Sequence, residues 1–226
     1  MKEKELINWK ELFALFCEKE DGICQWMMKP FINKATGDVW ATDGHIVLIL
    51  DKEFAGSDFE EIDKPLQMPF ILDESKWKLV TAERLREALE QCDREEIVEK
   101  EEVECPECNG DGVVEWEYHS SYGDEHWHTL EHDCPVCDGE GYIYKDKKTG
   151  RFDIAKGTGV SIGFGQYSAR LMARILKAME LLEVDGFRVI STPEHNRMVL
   201  FDFGTPQVRV GLMPMICDKK VIDIDV

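Results

Sequence analysis

Trp9, Leu12, Phe13 and Phe16 recur at i, i+3, i+4 and i+7, so they share one face of a helix expected over residues 8–19. Asn8 stands at the N-cap position and Glu11 three residues on, the arrangement of a capping box. The pattern then changes to strand-like segments. Residues 22–31 are rich in Trp and Met, 39–42 and 45–50 are β-prone, and Gly37-Asp38 and Asp43-Gly44 supply turns. Residues 51–66 are polar and acidic, as in a surface connection, and 68–72 and 77–80 read as short strands. Thr81 caps a second helix that buries Leu85, Ala88, Leu89 and Cys92. After residue 140, 142–144 and a turn at 147–150 lead to a strand at 159–164 and a helix from Ser168 to Glu183, ended by Asp185-Gly186. Three strands follow, over 187–191, 198–203 and 207–212. Helix and strands thus occur twice, around an interruption. This pattern predicts an α+β body of two similar halves over 1–92 and 145–226, with residues 93–144 inserted between them.

Composition bears on this reading in two ways. The chain has 226 residues, 43% hydrophobic and 10% aromatic, enough to bury a core in one large domain or two small ones. Its longest apolar run, 46–50, is far too short to span a membrane, and the Met-Lys-Glu-Lys-Glu start lacks the apolar stretch of a signal peptide. A cytoplasmic protein with no membrane partner is expected. The net charge of −19 argues against a uniformly basic surface, yet it is unevenly spread. From Asp93 to Glu140 there are 17 acidic residues and two basic ones, so this segment alone carries −15 and the remainder only −4.

That acidic segment holds four of the eight cysteines, in Cys105-Pro-Glu-Cys108-Asn-Gly110-Asp-Gly112 and Cys134-Pro-Val-Cys137-Asp-Gly139-Glu-Gly141. Two residues between cysteines let a tight loop turn both sulfurs to one ion, and the glycines supply the positive φ the loop needs. Two such knuckles make a closed tetrahedral site for one structural Zn2+ on Cys105, Cys108, Cys134 and Cys137, with no position open for catalysis. A redox dithiol would need only one pair. The motif resembles the cysteine-rich region of DnaJ chaperones. That family carries four repeats and two zinc sites, whereas this chain has two repeats and no His-Pro-Asp, so the resemblance implies the zinc knuckle and not chaperone activity.

Between the knuckles, 113–133 reads as a β-hairpin with its tip near 120–124. Trp116, Tyr118, His119, Tyr122, His126, Trp127, His128 and His132 lie along it. The histidines are candidate ligands for a second metal. Trp116 and Trp127 are candidates for binding a protein partner.

On the helix over 168–183, Arg170, Arg174 and Lys177 fall within about 60° of one another, opposite Leu171, Ile175, Met179 and Leu182. The stripe fits a solvated face or sequence-independent contact with a phosphate backbone. Tyr167-Ser-Ala-Arg-Leu-Met-Ala-Arg-Ile-Leu-Lys-Ala-Met179 resembles a helix of the bacterial polymerase sliding clamp, the polymerase III β subunit, which reads Phe-Asn-x-x-Tyr-Leu-x-x-x-Leu-Lys-x-Leu. Met213-Pro214-Met215 is similar to the Met-Pro-Met that lines the clamps' partner-peptide groove, and Ala41-Thr42-Asp43-Gly44-His45 to a clamp strand turn. Leu171 stands in place of the family's tyrosine, and Ile216-Cys217 in place of Arg-Leu. The resemblance covers residues 8–50 and 158–216 and implies a sliding-clamp-like domain whose helices face duplex DNA, with Met213, Pro214 and Met215 as partner-binding candidates. A clamp chain has three such domains and two chains close a ring, so a ring here would need several copies or another protein.

No phosphate-binding loop or nucleophile elbow is present, so catalysis is not expected. The acid–base pair suggested by Asp43 and His45 is better explained as turn chemistry. Two functions follow: a non-enzymatic, clamp-like accessory of DNA replication with a structural zinc site, or a protein–protein adapter whose acidic zinc finger binds the partner.

Overall fold

The computed structural model describes residues 7–19, 24–51, 53, 59–63, 78–119, 127–163, 165–190, 198–204 and 208–225. Side chains are described for all of these except 117–119, 127–129 and 190. The chain divides into two compact units, one of Met1–Arg94 with Ile154–Val226 and one of Glu95–Asp153.

In the first unit, helix α1 (Trp9–Ala14) is shorter than its hydrophobic pattern predicts, but its cap is as read: Asn8 accepts from the Glu11 N–H at 3.2 Å. Residues 25–28 form a 3-10 turn instead of the expected strand, and extended pairing starts only at β1 (Phe31–Asn33). Tryptophan and methionine there serve as packing volume, with Trp26 edge-on to Phe31 at 5.2 Å between ring centres. Then come β2 (Val39–Thr42), β3 (Ile46–Leu50), β4 (Glu61–Ile62) and β5 (Lys78–Thr81). The strand expected at 68–72 lies outside the described residues. Helix α2 (Ala82–Glu90) follows β5 directly, and the Thr81 hydroxyl accepts from the Arg84 N–H at 3.3 Å.

The second unit holds β6 (Arg94–Glu104), β7 (Val113–His119), β8 (Trp127–Asp133) and β9 (Tyr142–Ile154), the outer two running into the first unit. Residues 147–150, expected as a turn, lie inside β9, which pairs with β6, and Gly150 alone among them keeps a positive φ. The first unit resumes with β10 (Gly159–Ile162), β11 (Gly165–Ser168), α3 (Ala169–Leu182), β12 (Gly186–Ile190), β13 (Val199–Asp202), β14 (Val208–Leu212) and β15 (Val221–Ile224).

Eight of these strands make one sheet in the order β4-β1-β2-β3-β14-β13-β12-β5, antiparallel except for β1 with β4. A second sheet has the order β11-β10-β15. Side chains alternate across the large sheet. Val39, Ala41, Leu48, Phe201 and Val210 turn toward the three helices, which bury Leu12, Phe16, Leu85, Leu89, Met172, Ile175 and Met179 in the same core. Phe31, Trp40, Val47, Ile49 and Leu200 form a smaller cluster on the other face. Both faces of β3 are covered, which is why Ile46–Leu50 is apolar throughout instead of alternating. Among the described residues no helix is long and apolar enough to cross a membrane. The result is a mixed helix and sheet structure with few helices, in which α2 and α3 lie together, joined at their surface by Arg86 and Glu180 at 3.5 Å.

Candidate functional site

Each cysteine knuckle is a short loop closed by its own sulfur. Gly112 donates its N–H to the Cys108 Sγ at 3.2 Å, and Gly141 to the Cys137 Sγ at the same distance. The two loops are tied crosswise: the Cys105 N–H donates to the Gly141 carbonyl at 2.9 Å and the Cys134 N–H to the Gly112 carbonyl at 2.8 Å. The turns demand left-handed backbone at Asn109, Gly110 and Gly112, and again at Asp138, Gly139 and Gly141. A Cβ on Gly112 would collide with the Gly139 carbonyl, and one on Gly141 with the Gly110 carbonyl. Glycine is needed there both for conformation and for the close approach of the two loops.

This crossing brings the four sulfurs within 4.8 Å of one another, all four residues buried. Cys105 and Cys134 stand 3.8 Å apart at Sγ, and Cys108 and Cys137 3.7 Å apart. A tetrahedral ion with bonds of about 2.3 Å to sulfur needs sulfurs about 3.8 Å apart, so the donor set fits a tetrathiolate metal. The backbone N–H of Cys108 pulls the Cys105 thiol down to about 7, whereas burial pushes Cys137 up to about 11. Four thiolates this close need a cation to balance them. Val114 and Ile143 pack against the cysteines and screen them from water. Among the described residues this is the one group of His, Cys, Asp and Glu able to hold a metal ion.

The histidine-rich hairpin is β7 paired with β8, in a register that sets Trp116 opposite Leu130 and Val114 opposite His132. Trp116 is 57% exposed and meets His132 edge-on at 6.2 Å. The side chains of Trp127, Tyr118, His119 and His128, and residues Tyr122 and His126 altogether, lie outside what is described.

The cationic stripe sits on α3, as its spacing predicts, but its members are not equivalent. Arg170 is half-buried and donates Nε to the Ile154 carbonyl at 2.6 Å. Arg174 pairs with Asp43, whose other carboxylate oxygen accepts from the backbone of His45 and Ile46. Asp43 is therefore turn chemistry and a helix anchor at once. Lys177 is exposed, 3.4 Å from Glu180. Leu171 is only half-buried, and the buried face of α3 instead runs through Ala169, Met172, Ile175, Ala178, Met179 and Leu182.

Met213, Pro214 and Met215 follow β14 as irregular chain, with Met213, Met215 and Ile216 exposed. The segment is pinned at two points: the Met215 N–H donates to the Gln166 carbonyl at 2.9 Å, and the Cys217 N–H to the Gln166 side chain at 3.3 Å.

No protein-family model matches the chain, and no curated protein matches it. Among solved structures it is similar to the DNA polymerase III subunit beta from Pseudomonas aeruginosa, at 11% identity and a TM-score of 0.42 over 93% of this chain and 65% of that one. A DNA polymerase sliding clamp from Pseudomonas aeruginosa with a ligand gives 12% and 0.39, over 92% and 64%. The DNA polymerase sliding clamp from Bacillus subtilis gives 11% and 0.37, over 91% and 62%. The chain spans less than two thirds of the length of each of these proteins.

Proposed function

We propose that this chain is a non-enzymatic accessory of DNA replication, with a clamp-like body that meets duplex DNA without reading its sequence and a second unit held by one structural Zn2+. The observation that carries this reading is that the C-terminal residues resembling the clamp fall, among the described residues, on successive elements of one unit. From Tyr167 they pass through the end of β11, α3, β12, β13 and β14, and Met213-Pro214-Met215 follows as an exposed apolar segment. Motif order and element order agree over that run, which supports a clamp-like role more than any single motif does.

Within this reading, Arg170 and Arg174 fix α3 to the body and add positive potential, while Lys177 is the member placed to meet a phosphate. One body cannot enclose a duplex, so clamp action requires several copies. Among the described residues the sheet ends at β5, with Leu79 59% exposed, which offers a place for a neighbouring sheet to pair. Zinc is the ion of choice because four thiolates in a tetrahedron suit it and leave no site for substrate.

Fluorescence anisotropy on two duplexes of unrelated sequence tests the DNA part. Equal affinities that fall with salt are expected, with Lys177→Glu weakening both duplexes alike and lowering the salt slope by about 1. No association at low salt, or a strong preference for one sequence, contradicts it.

A second reading, the adapter, is favoured by the charge of the second unit. Glu95–Asp153 holds 18 acidic and five basic residues, a formal −13, which repels DNA and attracts a basic protein surface.

A further inference from the structure

The β7–β8 hairpin is two-faced. Residues paired across an antiparallel ladder share a face, and neighbours along a strand alternate. Val114, Trp116, Leu130 and His132 therefore lie on one side, and Val113, Glu115, Glu131 and Asp133 on the other. The first side is apolar and open, with Trp116 57% and Leu130 61% exposed. The second is acidic. The hairpin is a sheet of only two strands among the described residues, so each strand has an outer edge of backbone groups without a ladder partner. Four of the unit's five cations are engaged away from it. Lys100, Lys147, Lys148 and Arg151 are engaged with Asp146, Glu101, Glu96 and Glu99 on the β6–β9 ribbon.

We propose that this hairpin is a docking site for an extended, basic segment of another protein, which adds as a third strand. Such a strand presents alternate residues to the two faces. Its apolar positions cover Trp116 and Leu130, and its lysines or arginines meet Glu115, Glu131 and Asp133. Main-chain bonds to the edge give affinity and the alternation gives specificity. The occupant is basic because the unit carries a formal −13, which also opposes pairing with a second copy of itself. This proposal rests on the adapter reading and narrows it to one surface and one class of partner.

The test uses the full, zinc-loaded chain and two short fluorescent peptides of the same composition. One alternates lysine with valine, and the other places all lysines before all valines. The alternating peptide is expected to bind at least about tenfold more tightly, and less so as salt rises. Trp116→Ala with Leu130→Ser should lower its affinity about tenfold, as should Glu115→Gln with Glu131→Gln. These side chains are exposed, so circular dichroism and zinc content should be unchanged in both variants. Equal binding of the two peptides, weakened alike by the glutamine substitutions, would overturn the added strand while leaving a basic partner. If neither peptide binds, the adapter reading falls too. A dimer in sedimentation that Trp116→Ala with Leu130→Ser dissolves would assign the surface to a second copy and overturn the proposal.

Discussion

At the scale of single residues, the centre depends on glycine as much as on cysteine. Gly112 and Gly141 each combine positive φ with a close approach to the opposite knuckle, so alanine there must both strain the backbone and push the loops apart. Gly150 also has positive φ but nothing near its missing side chain. Gly112→Ala is expected to lower metal affinity by at least about tenfold in chelator competition, because it moves the Cys108 sulfur that its N–H holds. Gly150→Ala should cost only the left-handed backbone penalty of about 1–2 kcal/mol and leave affinity unchanged. Equal effects of the two would show that the crossing of the loops does not matter. The cysteine spacing makes this chemistry legible in the sequence, because both ligands of a knuckle sit in one short loop. The partner of Arg174 is not legible: Asp43 lies 131 residues away, and only the folded sheet brings it to α3.

At the scale of elements, local signals and tertiary context part company at identifiable places. Thr81, which the sequence reads as a cap, and Ser168, where the sequence starts a helix, both stand at helix N-cap positions. Only Thr81 makes the side-chain bond, whereas the first N–H of α3 donates to the Thr158 carbonyl at 3.0 Å. Urea unfolding should therefore show Thr81→Ala destabilised by about 1 kcal/mol and Ser168→Ala by a few tenths at most. The reverse order would mean that the caps are misassigned. The strand expected over 22–31 is partly a 3-10 turn, because Trp26 packs against Phe31 on the far face of the sheet. The turn expected at 147–150 is strand, because Thr149 donates its hydroxyl to the Ile97 carbonyl at 2.7 Å and the two lysines before it find acids on β6. Pair interactions of this kind have no periodic trace in the sequence. The two-faced character of β7 and β8 does have one, in the alternation of Val114 and Trp116 with Glu115, and of Leu130 and His132 with Glu131 and Asp133. Attention to the aromatics alone hides it.

At the scale of the whole molecule, an α+β unit of formal charge −6 shares the chain with a unit of formal charge −13 whose four clustered cysteines fit a metal ion. Sequence patterning conveys the helix-and-strand character of the first unit and the acidity of the second. It does not convey how strands distant in the chain pair, such as β3 with β14 at the middle of the large sheet. That pairing creates the continuous surface against which all three helices pack. The central claim is a zinc-held binding protein that works as an assembly of copies, and native mass spectrometry of protein purified without added zinc tests it most directly. The account predicts one zinc per chain in a species of more than one copy, with the metal lost in Cys105→Ser. A chain without metal, or a monomer at concentrations where it binds DNA, would contradict it.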